Sequence, residues 1–378
     1  MFADPAVAGL SPASISVLFI LWSVSSFVFE IPTGILADRV PRRPLLVLGP
    51  LLTGVGFALW TWWPSFSMFA LGFVLWAAGG SLRSGTLQAL VFDTLAAVGR
   101  AERYATLTGR MRAMQAIGVV TGTALAVPLA AWGGYHAVGA ASVLACVLCA
   151  ATSAMLPERR PAPSAGVDDE DGQPIAERLS ASAILRDALR QLSMQPAVRR
   201  CLFLLIVLTW VAALDEYLPL LADEIWPGSA PGVALLMVLI AIGDVAGGLA
   251  AARTSGIDWR PKRFAIWLGV AALALVVGAG WAHPAGMVLV AFAFGVFGWS
   301  LVQADAMLAH RVSSASRATI TSIAGVGEET VAIAAFAGWA LGAQWLPPTG
   351  LFVIAAVPYL LLALVIWLGA TTDRADVR

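Results

Sequence analysis

Runs of about 20 apolar residues recur along nearly the whole chain, and they constrain the fold more than any other feature. Each run is long enough to cross a bilayer, because a hydrocarbon core of about 30 Å needs about 20 helical residues. The chain of 378 residues is 59% hydrophobic and only 12% charged, whereas soluble domains are about 25% charged. A transmembrane β-barrel would instead show alternating segments of about ten residues. The sequence therefore predicts an all-α membrane protein.

We predict eleven membrane-spanning helices from these runs. They are expected at residues 13–37, 44–63, 68–96, 104–132, 134–156, 199–222, 231–252, 263–281, 285–310, 317–343 and 350–370. Every second connection carries arginine, whereas the alternate connections, such as WTWWPSFS and WAHPAG, have no lysine or arginine. The positive-inside rule places the arginine-rich connections and the C-terminus in the cytoplasm. We expect the membrane to be the plasma membrane, which in bacteria is the inner membrane. An odd number of spans then leaves the N-terminus outside.

Two helical bundles flank a long polar segment in this prediction. The predicted parts are an N-terminal bundle of five spans at 1–156, a cytoplasmic linker with an amphipathic helix at 157–198, a C-terminal bundle of six spans at 199–372 and a cytoplasmic tail at 373–378. The linker opens with a proline-rich acidic stretch that favours disorder. Its second part repeats leucine and isoleucine at helical spacing, which favours a short helix on the membrane surface.

The two bundles share a short pattern that indicates an internal repeat. EIPTG (30–34) and DVAGG (244–248) each place a carboxylate four residues before a glycine, near the cytoplasmic end of a span. A basic connection follows each of them. If the second repeat has six spans, the first should have six as well, so we expect one helix to precede the first span, with translation starting upstream of Met1.

The basic connection after the first span carries a family resemblance. GILADRVPRR resembles the loop motif Gly-x-x-x-Asp-Arg-x-Gly-Arg-Arg of the major facilitator superfamily. The matching positions are Gly34, Asp38, Arg39, Arg42 and Arg43. Pro41 stands where the motif has glycine, which makes the turn stiffer. The resemblance implies the fold of that family, with two pseudo-symmetric helical bundles, and agrees with a missing first helix.

The same resemblance implies a gating role for the motif, as a latch that holds the cytoplasmic side shut. Asp38 sits at a helix end with arginines one turn away. Asp93, at the cytoplasmic end of the third span, is placed to meet Arg42 or Arg39, and Arg112 is a further candidate partner. Charged hydrogen bonds of about 1.5–3 kcal/mol each suffice to bias a two-state equilibrium. The alternative is that these arginines only determine the membrane topology.

Ionisable residues inside the spans are candidate functional groups, because each costs about 2.5–3.5 kcal/mol at the bilayer centre on insertion scales. The candidates for a substrate or proton cavity are Arg83, Glu30, Asp215, Glu216, Asp305 and Glu328, with Asp244 and Glu329 beside them. Arg83 is the only base in this group, and suits an anion anchor or the partner of a proton-carrying carboxylate. Each acid has a structural alternative, as a hydrogen-bonding partner of a neighbouring helix or as an interface residue.

These features predict a secondary active transporter that works by alternating access. An excess of acids favours proton-coupled efflux of small amphipathic or cationic molecules. The antiporter signature of the family is only weakly present: Gly118 and Gly122 keep a spacing that allows close helix packing, but Thr123 replaces the proline. The alternatives are a metabolite carrier of other direction, or a non-transporting membrane sensor or assembly protein with the same fold.

Other classes of protein find little support in the sequence. No GxxxxGK[ST] or HExxH motif occurs, so neither a P-loop nor a zinc hydrolase site is indicated. The formal net charge is zero, which gives no basic signature for nucleic acid. We therefore expect no enzyme activity, cofactor or metal, and a monomer whose partners are a small-molecule substrate, protons and the lipid bilayer.

Overall fold

The computed structural model describes residues 8–84, 86–100, 103–157, 195–254, 260–312 and 317–375, and these residues form helices and no strand. The chain divides into two compact units. Unit 1 comprises Met1–Val119 and Pro128–Arg178, and unit 2 comprises Val120–Val127 and Leu179–Arg378. Most of the predicted linker, including its amphipathic helix, lies outside the described residues.

Unit 1 holds the first five helices. They are α1 (Pro12–Arg39), α2 (Arg42–Trp62), α3 (Phe66–Arg83), α4 (Thr86–Ala97) and α5 (Tyr104–Ala154), of which α5 also carries the eight residues assigned to unit 2. Serine caps begin two of them: Ser11 accepts a hydrogen bond from the Ser14 N–H at 3.2 Å, and Ser65 accepts one from Met68 at 3.4 Å. Such caps satisfy N–H groups that have no partner inside the helix.

Unit 2 holds nine helices of different lengths. They are α6 (Pro196–Leu208), α7 (Trp210–Asp215), α8 (Leu218–Ile225), α9 (Ala230–Thr254), α10 (Pro261–Gly280), α11 (Gly286–Arg311), α12 (Arg317–Gly342), α13 (Pro348–Ala355) and α14 (Val357–Ala375). The central helix α11 packs on α9, α10 and α6, and α10 packs on α14. In unit 1, α3 packs in the same way on α1 and α2, as the predicted repeat requires.

Glycines set the closest helix contacts within each unit. In unit 1, a Cβ added to Gly49 would lie 2.8 Å from the Gly79 carbonyl oxygen, and one added to Gly56 would lie 2.8 Å from that of Gly72. In unit 2, Gly247 of α9 faces Gly295 of α11 still more closely, since a Cβ added to Gly247 would lie 2.0 Å from the Gly295 carbonyl oxygen. Small residues let helix backbones approach, and this contact replaces the hydrophobic driving force that lipid does not supply.

Nine helical segments of the described residues are long and apolar enough to cross a membrane. The predicted spans at 104–132 and 134–156 both fall within α5, which loses helical geometry at Gly133 and at Gly134, where φ is +58°. Glycine adopts this backbone conformation without the clash that a side chain brings. The predicted span 317–343 is present as α12, which is not among the nine.

Three other predicted spans are broken in the structure. The span 68–96 is interrupted between α3 and α4, the span 199–222 comprises α6, α7 and α8, and the span 350–370 comprises α13 and α14. Hydropathy detects the apolar length of a span but not a local break in its hydrogen bonds. Each break leaves backbone groups that need another partner within the membrane.

The break between α6 and α7 shows how such a group is satisfied. The Ala212 N–H donates to the Thr209 carbonyl at 2.9 Å, so it does not serve Leu208 as it would in a regular helix. Instead, the fully buried Tyr359 of α14 donates its hydroxyl to the Leu208 carbonyl at 3.3 Å. Its ring stacks on Phe297 at 3.9 Å. Tyr359 therefore links α6, α11 and α14 at the break.

We expect Tyr359→Phe to destabilise the protein by about 1 kcal/mol, because the Leu208 carbonyl loses its donor while the ring stacking remains. The thermal unfolding midpoint in detergent measures the effect. Tyr104→Phe is the control, since the Tyr104 ring, edge-on to Phe92, is kept in that variant. Equal midpoints for the wild-type protein and Tyr359→Phe would show that the hydrogen bond contributes nothing.

Candidate functional site

The sequence motif at the first basic connection is folded almost entirely into helix ends. Helix α1 continues through Arg39 and α2 begins at Arg42, so only Val40 and Pro41 connect them. The Val40 N–H closes the last turn by donating to the Leu36 carbonyl at 3.0 Å. Pro41 suits the position before α2, because its missing N–H would have no helical partner there.

Arg42 of α2 forms an ion pair with Asp93 of α4, through its Nη1 and the Asp93 Oδ2. The two side chains are 22% and 26% exposed, respectively. Arg42 lies in the first helical turn, where the positive end of the helix dipole disfavours a cation. The carboxylate of Asp93 compensates this charge. The pairing predicted for Asp93 with Arg42 or Arg39 is therefore present with Arg42.

The structure describes less of the other motif positions. The Arg43 side chain is exposed beside Arg42. Gly34, Asp38 and Arg39 lie on α1 and Arg112 lies on α5, but their side chains are outside the described residues. Their gating role remains a prediction.

Two predicted acids, Asp215 and Glu216, lie at the break between α7 and α8. The residue four positions after Asp215 is Pro219, which has no N–H to donate to the Asp215 carbonyl. The Tyr217 N–H donates to the Leu214 carbonyl, three residues before it, at 3.0 Å. The Asp215 side chain is exposed at the surface of the unit and that of Glu216 is half-buried. A proline thus places both carboxylates where the helix is interrupted.

The buried side of this break is fixed by an aromatic cluster that sequence reasoning did not identify. Tyr217 has no exposed surface, and it stacks on Trp339 of α12 with ring centroids 4.0 Å apart. Phe336 and Phe352 meet these two rings edge-on, at 6.0 Å and 5.1 Å. The sequence feature that indicates this cluster is LDEYLPL, in which apolar and aromatic residues stand next to the two acids. Tyr217 is the buried side chain beside them.

Unit 2 brings the acids together in two groups. The charge of Asp215 interacts with those of Glu216 and of Asp244 on α9. Asp305 on α11 interacts with Glu328 on α12 in the same way. The side chains of Asp244 and Asp305 are exposed, and that of Glu328 is half-buried. Neighbouring like charges repel, so each group favours a bound cation.

Arg83 is the last residue of α3 and does not lie within a continuous helix, as the predicted span 68–96 implied. The helix stops because the Ser84 backbone leaves helical geometry, and α4 starts at Thr86. The stem of Arg83 crosses Gly49 of α2: a Cβ added there would lie 2.8 Å from Arg83 Cγ. Glycine at that position leaves room for the stem, and the exposed guanidinium lies at the break.

Two further expectations meet less support. Glu30 is exposed on α1, two residues before Pro32, and the Thr33 hydroxyl donates to the Phe29 carbonyl at 2.7 Å. Gly118 and Gly122 have no described atom within 4 Å of an added Cβ. The close packing expected of these two glycines is therefore not formed by the described part of the chain.

Metal ligands are not clustered in the described residues: no group of three or more histidine, cysteine, aspartate and glutamate side chains there has the geometry to hold an ion.

Comparison with known proteins identifies the fold and the family. The sequence model of the Major Facilitator Superfamily matches residues 5–226, more than half of the chain. The nucleoside transporter NupG resembles the structure with a TM-score of 0.67 at 14% identity, over 95% of this chain and 90% of NupG. A bacterial homologue of the human lysosomal transporter Spinster gives 0.62 at 15% identity, over 96% and 90%. The peptide-transporter-family (POT) protein PepTSo gives 0.65 at 14% identity, over 96% and 90%. No curated protein sequence matches the chain.

A double-mutant cycle measures the ion pair of α2 and α4. We expect Arg42→Gln and Asp93→Asn each to lower the thermal unfolding midpoint, and the double variant to lose less than the sum, with a coupling of about 1 kcal/mol. Arg43→Gln is the matched control, because its side chain is exposed in the same helical turn. Strictly additive losses would show that the two groups do not interact.

Proposed function

The chain belongs to the Major Facilitator Superfamily, and on this premise we propose that it is a secondary active transporter that exports small cationic or amphipathic molecules in exchange for protons. Alternating access in such folds moves two bundles around a binding site near the bilayer midplane. The observation that carries the proposal is the group of carboxylates at the α7–α8 break. The membrane-spanning helices and the family support a multi-pass membrane protein.

Exposed carboxylates within a span need water or a polar partner, because contact with lipid is too costly for them. Asp215 and Asp244 are both exposed at the surface of unit 2. An aqueous route through the membrane that reaches these two residues satisfies this requirement. Their charges attract a cation into the route.

Proton coupling follows from competition at the same carboxylates. A carboxylate that binds a cation on one side of the membrane must release it on the other. Protonation removes the charge that holds the cation, so a proton that enters from outside displaces the substrate. The reverse step returns the site to its charged form on the cytoplasmic side. Glu216 and Glu328 provide further groups near Asp215 and Asp305 through which a proton can pass.

The Arg42–Asp93 ion pair acts as a latch in this proposal. It ties the start of α2 to α4 at the end of the bundle that the positive-inside rule assigns to the cytoplasm. Loss of the pair changes the relative free energies of the outward-open and inward-open states, and hence their populations. The same assignment places the C-terminus and the 157–198 linker in the cytoplasm, and we propose that the monomer is the working unit.

Arg83 favours a second candidate function, the transport of an anionic metabolite. Its exposed guanidinium at the α3–α4 break is suited to a carboxylate or phosphate, which arginine binds through two parallel hydrogen bonds. Substrate charge distinguishes the two candidates. Cation export depends on the acids of unit 2, and anion transport depends on Arg83.

Cells that express the protein should accumulate less of a fluorescent lipophilic cation, and this difference should vanish when the proton gradient is collapsed. We expect Asp215→Asn to lower the extrusion rate about tenfold or more. The substitution removes the charged interaction of the carboxylate with the transported cation, which is worth about 1.5–3 kcal/mol. Asp223→Asn, at an exposed carboxylate of α8 outside the break, is the matched control and should leave the rate unchanged.

The same assay contradicts the proposal if wild-type cells extrude no cation, or if Asp215→Asn and Asp223→Asn behave alike. Uptake of labelled anions that is lost in Arg83→Gln would instead establish the second candidate. Membrane levels of each variant, measured by immunoblot, separate a loss of transport from a loss of protein.

Charge reversal tests the latch. We expect Arg42→Asp and Asp93→Arg each to reduce transport about tenfold, since a change of about 1.4 kcal/mol shifts a two-state equilibrium by that factor. The variant with both changes should recover transport, because the ion pair forms in reversed order. A double variant as inactive as the single ones would show that the pair does not control the transport cycle.

A further inference from the structure

A cavity of about 370 Å³ opens on the surface of unit 2 between α9, α10 and α11. Its floor is the close contact of α9 with α11, where Gly243 and Gly247 meet Ala291 and Gly295 without side chains between them. Trp267, Phe292 and Trp299 form its walls. We call this cavity the α9–α11 groove.

The α9–α11 groove offers a ligand almost no polar group. Besides the indole N–H groups of Trp267 and Trp299, the polar side-chain group of its lining is the Thr254 hydroxyl, whose hydrogen bonds are made within the protein. It donates to the Ala250 carbonyl at 2.8 Å and accepts from Trp299 Nε1 at 2.9 Å and from Gln303 Nε2 at 2.5 Å. A polar ligand would lose its bonds to water here without replacement, whereas an apolar chain gains burial.

The α9–α11 groove opens towards lipid. Its wall residue Trp267 is 49% exposed, and the neighbouring surface of α10 is an apolar stripe at helical spacing. The exposed residues of this stripe are Ile266, Val270, Leu273 and Val277. A continuous apolar surface of this kind on a membrane-spanning helix lies against acyl chains.

The length of the α9–α11 groove matches one leaflet. Its lining on α9 runs from Gly243 to Thr254, which at 1.5 Å per residue is about 16 Å. Half of a hydrocarbon core of about 30 Å is about 15 Å. An acyl chain that enters from the membrane surface at Thr254 therefore reaches Gly243 near the bilayer midplane.

Basic residues lie in sequence on either side of the connection that follows Thr254: Arg253 precedes Thr254, and Arg260, Lys262 and Arg263 stand at the start of α10. Arg253, Arg260 and Arg263 are exposed there, and the Lys262 ammonium lies 5.4 Å from the centre of the Trp367 ring. These four charges flank the connection between α9 and α10. Basic residues at this depth attract the phosphates of anionic lipids.

We propose that the α9–α11 groove is a binding site for an anionic phospholipid of the cytoplasmic leaflet, with an acyl chain along Gly243–Thr254 and its phosphate at the basic residues. The assignment of the leaflet rests on the orientation proposed above. None of the proposed acids lines the groove, although Asp244 directly follows its lining residue Gly243, so the lipid site survives a failure of the proposed substrate and coupling.

Native mass spectrometry of the purified, delipidated protein tests this site with phosphatidylglycerol and phosphatidylcholine of identical acyl chains. We expect the wild-type protein to retain phosphatidylglycerol preferentially. Ala250→Phe should fill the groove and lower its affinity about tenfold, as expected when about two methylenes lose their burial. Leu249→Phe is the control, because Leu249 is an exposed neighbour on the same helix outside the lining.

The headgroup part of the site has its own variant. We expect Arg253→Gln to lower the preference for phosphatidylglycerol about fivefold while it leaves phosphatidylcholine binding unchanged. Ala246→Phe, at a second exposed lining residue, repeats the test should Ala250→Phe fail to fold.

Three outcomes overturn the proposal. Groove-filling variants that bind phosphatidylglycerol as the wild-type protein does would show that the chain lies elsewhere. Equal retention of both lipids by the wild-type protein would show that the basic residues do not bind the lipid headgroup. Groove-filling variants that lose cation extrusion but keep lipid binding would assign the groove to the transported molecule. Extrusion measured on the same variants keeps these results distinct from a failure of the proposed function.

Discussion

The need to satisfy every backbone hydrogen-bonding group inside the bilayer governs the structure of this protein. Regular helices meet this need within themselves, and an interrupted helix needs help from a neighbour. Tyr359 provides it for Leu208, where α6 ends. The buried aromatic pair Tyr217 and Trp339 fixes the next interruption, two turns further on. The helix of unit 2 that carries two acids is therefore irregular but held in place from the side of the core.

In each unit, one intramembrane charge coincides with a break in a helix, and one physical reason explains this. A regular apolar helix has no position at which an ionised group is cheap, whereas a break supplies free backbone dipoles and a local opening to water. Arg83 ends α3 and Asp215 ends α7. Both residues thus lie where the backbone already departs from the helical pattern. The chemistry of the site and the geometry of the scaffold depend on the same few residues.

The sequence predicts the broad architecture well, because length and hydropathy follow directly from the thickness of a membrane. It also predicts the Arg42–Asp93 pair, since the motif places Arg42 after the first span and hydropathy places Asp93 near the cytoplasmic end of the third span. It failed for Arg83, which it placed inside a continuous span, because no hydropathy pattern records that Ser84 leaves the helix. It gave no hint of the α9–α11 groove, whose lining residues are distant in sequence and come together only through packing.

The glycine contacts carry a consequence for how this molecule tolerates change. Gly243, Gly247 and Gly295 perform no chemistry, yet any larger residue at these positions would force two helices apart. Asp215, by contrast, can exchange its carboxylate for an amide of equal size without disturbing its neighbours' shape. In a survey of random substitutions, the sharpest losses of folded protein would therefore fall on the positions with the least functional content. The positions that tolerate substitution least would differ from the positions that serve the function.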